Sequence, residues 1–262
     1  MAYRRRTCGL WETDAIVSRQ PPSIHKNSQT LSLSLDSPLI QSCMRRNDPT
    51  ALILDYTRAM MGFLLFNPQP ASMLMIGLGG GSVPKYCHQH LPDVDITTVE
   101  INPDVIALRD EFLIPADSER FRVACADGAA FVAQAQQRYD VVMVDGFTGE
   151  GQPEALCSRA FYMACKAALS DEGMLVVNLH AKMPRCGELA QRIERCFGGH
   201  ALSVATDDGD NCVVLAGSGP AFAQCRQAFE ERWAALSAMH QQTLGACSSR
   251  IERGLIKRYP AA

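Results

Sequence analysis

The chain lacks several features that would point to particular functions. It has no apolar run long enough to cross a bilayer, no C-x-x-C pair, no internal repeat and no low-complexity segment. It also lacks a surplus of positive charge: 25 Lys and Arg stand against 28 Asp and Glu, a net charge of -3. A nucleic-acid partner and a membrane partner are therefore not expected. The one basic cluster, Arg4-Arg5-Arg6, reads as a solvated chain end. Trp11-Glu12-Thr13-Asp14 follows it where a secretory signal would need apolar residues, so a cytoplasmic location is expected. Eleven cysteines are present, and their spacing suits neither a zinc ribbon nor a disulfide framework. Cys125, Cys165 and Cys212 lie in apolar runs, where a free thiol acts as a small buried hydrophobe.

What is present is an ordinary globular balance, 47% hydrophobic and 20% charged residues. Residues 30–35, TLSLSL, alternate strictly and predict a half-buried strand in a small hairpin. Asp48-Pro49 predicts the start of a helix reaching about Phe66, with Leu52, Tyr56, Ala59, Met60, Phe63 and Leu64 on one face. From Met73 strands alternate with helices: strands near 73–77, 95–100, 120–125, 139–145 and 173–179, helices near 82–91, 103–112, 128–137 and 158–169. Strands as apolar as YDVVMVD and MLVVNL are buried on both faces, which implies a parallel sheet. HALSVAT-DDGD-NCVVLAG reads as a closing antiparallel hairpin. After Pro220 one helix is expected, with Phe222, Phe229, Trp233, Leu236, His240 and Leu244 packed on the sheet. The expected fold is α/β, a methyltransferase-like Rossmann sheet of seven strands with its last hairpin antiparallel. Residues 1–70 would form an N-terminal β/helix extension and 71–262 the nucleoside-binding domain.

MLMIGLGGGS, residues 73–82, runs from a buried strand into a glycine turn. A second strand follows and ends on Glu100. Gly77, Gly79 and Gly81 permit close backbone approach to a ligand, although a tight turn without a ligand has the same composition. Glu100 can accept both hydroxyls of a ribose. Asp127, before Gly128, can accept from an adenine amino group, cap the following helix, or do both. Asp145 ends the fourth strand, before a glycine-rich loop. It is placed to take a proton from an amine, or to cap that loop. A carboxylate-lined pocket favours a sulfonium over a pyrophosphate. Cys87-His88-Gln89-His90 is read as a solvated helix face, and no metal is expected. His180, past the fifth strand, lines a pocket or belongs to a surface loop.

Over about residues 30–180, MLMIGLGGGSVPKY, TTVEINPDVI, ACADGAAF and YDVVMVDGF with QPEALCSRAFY resemble the spermidine synthase family of polyamine aminopropyltransferases. The resemblance implies ribose binding by Glu100, adenine binding by Asp127, catalysis by Asp145 and a cofactor contact by Gln41. It also implies a homodimer, a small-molecule amine substrate, and decarboxylated S-adenosylmethionine as co-substrate. Two of the family's aspartates are replaced: Gly80 stands where one would hold the amine of the donor, and Thr148 stands three residues after Asp145. Glu150 or Asp55 are candidates to replace the lost charge. A methyltransferase using intact S-adenosylmethionine, or a non-catalytic nucleoside-binding protein of this fold, would share the nucleoside half.

Overall fold

A computed structural model of the chain describes residues 21–35, 40–147 and 151–260. Three short strands, β1 (Ser23–Lys26), β2 (Thr30–Ser34) and β3 (Ser42–Arg45), form an antiparallel sheet. The TLSLSL segment thus supplies the middle strand of three, not half of a hairpin. Asp36, Ser37 and Pro38, expected to turn the chain, lie outside the described residues.

The expected helix from Asp48 begins later. Residues 46–50 turn, held by Asp48 N to Arg45 O and Ala51 N to Asp48 O. Helix α1 covers only Asp55–Met60 and tightens into a 3-10 helix at Met61–Leu65. The Arg58 guanidinium reaches back to the carbonyls of Leu52 and Ile53, at 3.0 and 2.6 Å, which keeps that stretch out of the helix.

The main sheet is built from β4 (Ser72–Ile76), β5 (Asp95–Glu100), β6 (Phe121–Cys125), β7 (Tyr139–Val144), β8 (Leu169–His180), β9 (Ala201–Ala205) and β10 (Asn211–Ala216). Their order is β6-β5-β4-β7-β8-β10-β9. Strands β4 to β8 pair in parallel, and β10 runs antiparallel between β8 and β9. This is the expected seven-stranded sheet with an antiparallel closing hairpin. Alternate residues feed two cores. Met73, Met75, Val141, Met143 and Val176 face one side, with Leu74, Ile76, Val142, Val144 and Val177 on the other. Burial on both faces is why these strands carry almost no polar residues.

On the first face lie α1, α2 (Ser82–His90), α3 (Pro103–Ile106) and the C-terminal helices; α4 (Gly128–Ala133), α5 (Arg159–Ala167) and α6 (Cys186–Cys196) cover the second. Their starts are set by side-chain caps: Asn102 for α3, Asp127 for α4 and Ser158 for α5. The sequence reading did not anticipate α6. The single helix expected after Pro220 is divided into α7 (Gly219–Gln227), α8 (Phe229–Ala235) and α9 (Ala238–Leu244). Ala228 and Leu236 leave helical geometry between them, and Ser237 caps α9 through His240 N. An unanticipated α10 (Ala246–Arg258) buries Cys247, Ile251 and Leu255 at four-residue spacing, and it packs on β9 and α7.

The Cys87–His90 segment is only partly a solvated face: Gln89 is exposed and His88 and His90 are half-buried. Cys87 is buried, the His88 ring lies edge-on to Phe121 at 5.3 Å, and the His90 ring lies 4.6 Å from Tyr86. The Tyr86 hydroxyl meets His240 Nδ1 at 2.8 Å, pinning α9 to α2. Cys165 is buried as expected, but Cys212 is half-buried and Cys125 is exposed. Among the described residues, no helix is long and apolar enough to cross a membrane.

Lys85 on α2 is 2% exposed; its Nζ donates to Phe112 O at 2.7 Å. Burial pulls this ammonium down to about 8. A lysine depressed in the folded state binds fewer protons than the unfolded chain between about pH 8 and its usual value near 10.4. Its contribution to stability therefore rises with pH across that window, by on the order of 2–3 kcal/mol. Lys85→Met is expected to raise the melting temperature at pH 7 and to flatten that rise, as measured by thermal unfolding of both proteins from pH 7 to 10.5.

Candidate active site

The sheet's topology places the ends of β4, β5, β6 and β7 along one edge, where open α/β sheets bind ligands. At that edge β4 passes into Gly77, whose N–H donates to Val99 O at 2.8 Å. Asp145 N donates to Ile76 O at 2.9 Å, drawing the end of β7 against the same turn. A Cβ on Gly77 would lie 2.3 Å from Asp145 O, and its φ is +97°. Both facts restrict the position to glycine. Gly79 and Gly81 are also left-handed, and Gly81 leads into α2.

Glu100 faces this turn. Its Oε2 accepts from Leu78 N and its Oε1 from Asn102 N, each at 2.9 Å. Burial pushes its carboxyl up, while backbone N–H groups of Asn102, Leu78, Ile101 and Gly79 favour the charged form. Each carboxylate oxygen has a second lone pair for a further donor. Asp127 caps α4, with Oδ1 accepting from Ala130 N at 2.8 Å. The cap occupies one oxygen, so a second role for this side chain is compatible with it. Gly128 lies against β4: a Cβ there would meet Ile76 Cγ2 at 2.4 Å.

Gly80 is also tightly enclosed. A Cβ on it would come within 2.6 Å of Ser42 Oγ and 2.8 Å of Phe112 Cδ1. The space beside position 80 is filled by a serine of β3 and a buried aromatic ring. Ser42 and Ser82 bring their hydroxyls to 3.5 Å across the turn.

Asp145 is half-buried. Its Oδ1 accepts from Asn178 Nδ2 at 2.8 Å, and the Tyr56 hydroxyl is a second hydrogen-bonding neighbour. Burial raises its carboxyl to about 6, against the lowering effect of Asn178 and Tyr56. Burial, and then the Asp145 charge, push the Tyr56 phenol well above its usual range. The Tyr56 hydroxyl also lies 3.1 Å from Gln41 O, and Gln41 N donates to Leu33 O. The Gln41 main chain is thus joined to the Tyr56 hydroxyl.

The residues proposed to restore lost charge behave differently. Asp55 is committed: one oxygen pairs with Arg58, the other accepts from Asp207 N at 2.5 Å and Asp208 N at 3.2 Å. Thr148 and Glu150 lie outside the described residues. His180 ends β8 half-buried, and its Nδ1 is buried without a hydrogen-bond partner among the described residues.

Sequence reasoning missed two site residues, Asn178 and Asn211. Asn178 is 2% exposed, and its Oδ1 accepts from Asn211 Nδ2 at 3.0 Å. An amide inside the apolar run MLVVNL was the visible clue to the first, since a buried amide needs partners. The second depends on β10 pairing with β8.

Comparison with known proteins agrees with this geometry. A polyamine aminopropyltransferase of Neisseria meningitidis is 38% identical over 195 residues, 74% of this chain and 74% of its own length. A probable spermidine synthase from Corynebacterium glutamicum superposes with a TM-score of 0.67 at 17% identity, over 87% of this chain and 91% of its own. Human methyltransferase-like protein 13, solved in complex with SAH, gives a TM-score of 0.59 at 23% identity, over 80% of this chain and 95% of its own. The two structural likenesses establish the shared fold. The sequence model of the spermine/spermidine synthase domain matches residues 53–196, more than half of the chain and the whole of the edge that carries Glu100, Asp127 and Asp145. The protein is a transferase, and it belongs to the spermine/spermidine synthase family.

Proposed function

We propose that the chain transfers an aminopropyl group from decarboxylated S-adenosylmethionine to a putrescine-like amine, releasing methylthioadenosine. The observation that carries this reading is Asp145, a carboxyl raised to about 6 and held by Asn178 and Tyr56 beside the glycine turn. Glu100 would receive the ribose hydroxyls and Asp127 the adenine amino group. Gly77, Gly79, Gly81 and Gly128 keep the surface beneath the nucleoside free of side chains, and Gln41 closes the edge near Tyr56.

The chemistry follows from proton affinities. An alkylammonium has a pKa of about 10 and no lone pair with which to attack. Asp145 takes one proton from it. The freed lone pair then bonds to the CH2 carbon beside the sulfonium, the C–S bond breaks, and its electron pair stays on sulfur as a neutral thioether. Raising Asp145 from its usual value to about 6 narrows the mismatch with the amine by about 3 kcal/mol. The rest of the acceleration would come from holding donor and acceptor in line.

A second reading, methyl transfer from intact S-adenosylmethionine, is favoured by one observation. Gly80 carries no carboxylate to meet a donor ammonium, and Ser42 and Phe112 crowd the space beside it. SAH bound to the human structural neighbour is in keeping with that chemistry. The products separate the readings: methylthioadenosine marks aminopropyl transfer, S-adenosylhomocysteine marks methylation, and neither marks binding alone.

Asp145→Asn is expected to lower kcat by roughly 100- to 10,000-fold while leaving methylthioadenosine affinity within about twofold. This is checked by steady-state kinetics beside calorimetry, and an unchanged kcat would remove Asp145 from the base role. In the wild-type protein the rate should fall as pH drops through about 6, because the protonated carboxyl cannot accept the amine's proton. A pH–rate profile flat from 5 to 8 would contradict the assignment.

A further inference from the structure

Asn178 and Asn211 form a relay that ends on Asp145. Asn178 Nδ2 donates to Asp145 Oδ1 at 2.8 Å, and Asn211 Nδ2 donates to Asn178 Oδ1 at 3.0 Å. An amide can present either its oxygen or its nitrogen to a neighbour. Here the carboxylate takes the NH2, and the contact with Asn211 holds the amide in that orientation. With its oxygen held by Asn211, Asn178 has only its NH2 to offer the carboxylate.

The Asn211 main chain is itself held by the β9–β10 turn. Its N–H donates to Thr206 Oγ1 at 3.0 Å, and the Thr206 hydroxyl donates to Asp208 Oδ1 at 2.6 Å. Asp55 receives the N–H groups of Asp207 and Asp208. Asp55 precedes Tyr56, which returns to Asp145. The hydrogen bonds therefore close a loop from α1, through the hairpin turn and the two amides, to the carboxylate and back to α1.

We propose that Asn211, though it makes no contact with Asp145, is a positioning residue for it: by fixing the amide of Asn178 it keeps a donor on the carboxylate. The proposal rests on Asp145 being the base. Among the described residues, the groups that act on Asp145 are Tyr56 from α1 and Asn178 from β8. His180 follows Asn178 by two residues, on the same face of β8 and opposite Asn211. Beyond the amides, Arg58 pairs with Asp55, Arg250 of α10 with Asp207, and Lys182 with Asp210. Asp208, the remaining carboxylate of the turn, accepts from Thr206 Oγ1 and Asp210 N.

When the relay is broken, Asn178 is free to rotate and its donor is shared or lost. The protonated carboxyl then gains relative to the carboxylate. The test is a 13C carboxyl NMR titration of ligand-free protein, with the Asp145 signal assigned by its loss in Asp145→Asn. The wild-type midpoint is expected near 6. Asn211→Ala, a neutral change that adds no charge, should raise it by at least half a unit, about a threefold change in acidity. Asn178→Ala should raise it by a unit or more. The acid limb of the pH–rate profile should move by the same amount in Asn211→Ala, with donor KM unchanged. Should Asn178→Ala fail to fold, Asn211→Ala decides alone, because Asn211 lies at the end of β10 and is only half-buried. An Asp145 midpoint unmoved in Asn211→Ala overturns the proposal. A moved midpoint in a protein that turns over no amine supports the relay while overturning the base reading, so the two failures are distinguishable.

Discussion

The close approach of two adjacent strand ends is the constraint on which the site depends. Gly77 and Asp145 follow β4 and β7, which pair directly in the centre of the sheet. Their backbones come so near that a Cβ on Gly77 would strike Asp145 O. The glycine turn is therefore fixed by main chain to the residue that carries the Asp145 carboxylate.

Charge at this edge is governed by burial. Glu100 is pushed toward neutrality by desolvation, an effect that the N–H groups of the turn it braces offset only in part. Asp145 has only an amide and a phenol to oppose the same effect, and it stays raised. Two carboxylates on either side of the β4 turn thus differ in surroundings, one ringed by backbone N–H groups and one with fewer donors. Around Gly80, Ser42 and Phe112 close the space that a side chain would need. The small N-terminal sheet thereby contributes directly to the nucleoside edge through β3.

The sheet was legible because its evidence is local. Strands such as residues 139–145 carry apolar residues at both parities, and glycine, Glu100 and Asp127 each fall where a strand must stop. Elements governed by distant contacts were harder to read. The helix expected from Asp48 is delayed to Asp55 because Arg58 captures the carbonyls of Leu52 and Ile53. The single C-terminal helix is three because Ala228 and Leu236 depart from helical geometry despite a continuous apolar stripe. In the site, Asp145 and Glu100 were identified from their places at strand ends. Tyr56 was noticed without a role, since its contact with Asp145 spans 89 positions of sequence. Asn178 carried a clue in its apolar surroundings, whereas Asn211 became meaningful only once β10 was placed against β8.

The central claim is that the glycine turn and its acidic neighbours bind a sulfonium nucleoside lacking the methionine carboxylate, beside a separate base. Calorimetric titration of the wild-type protein and of Asp145→Asn with decarboxylated and intact S-adenosylmethionine tests it most directly. The account predicts tighter binding of the decarboxylated form, to both proteins alike. Equal or tighter binding of the intact form, or no heat from either nucleoside, would contradict it.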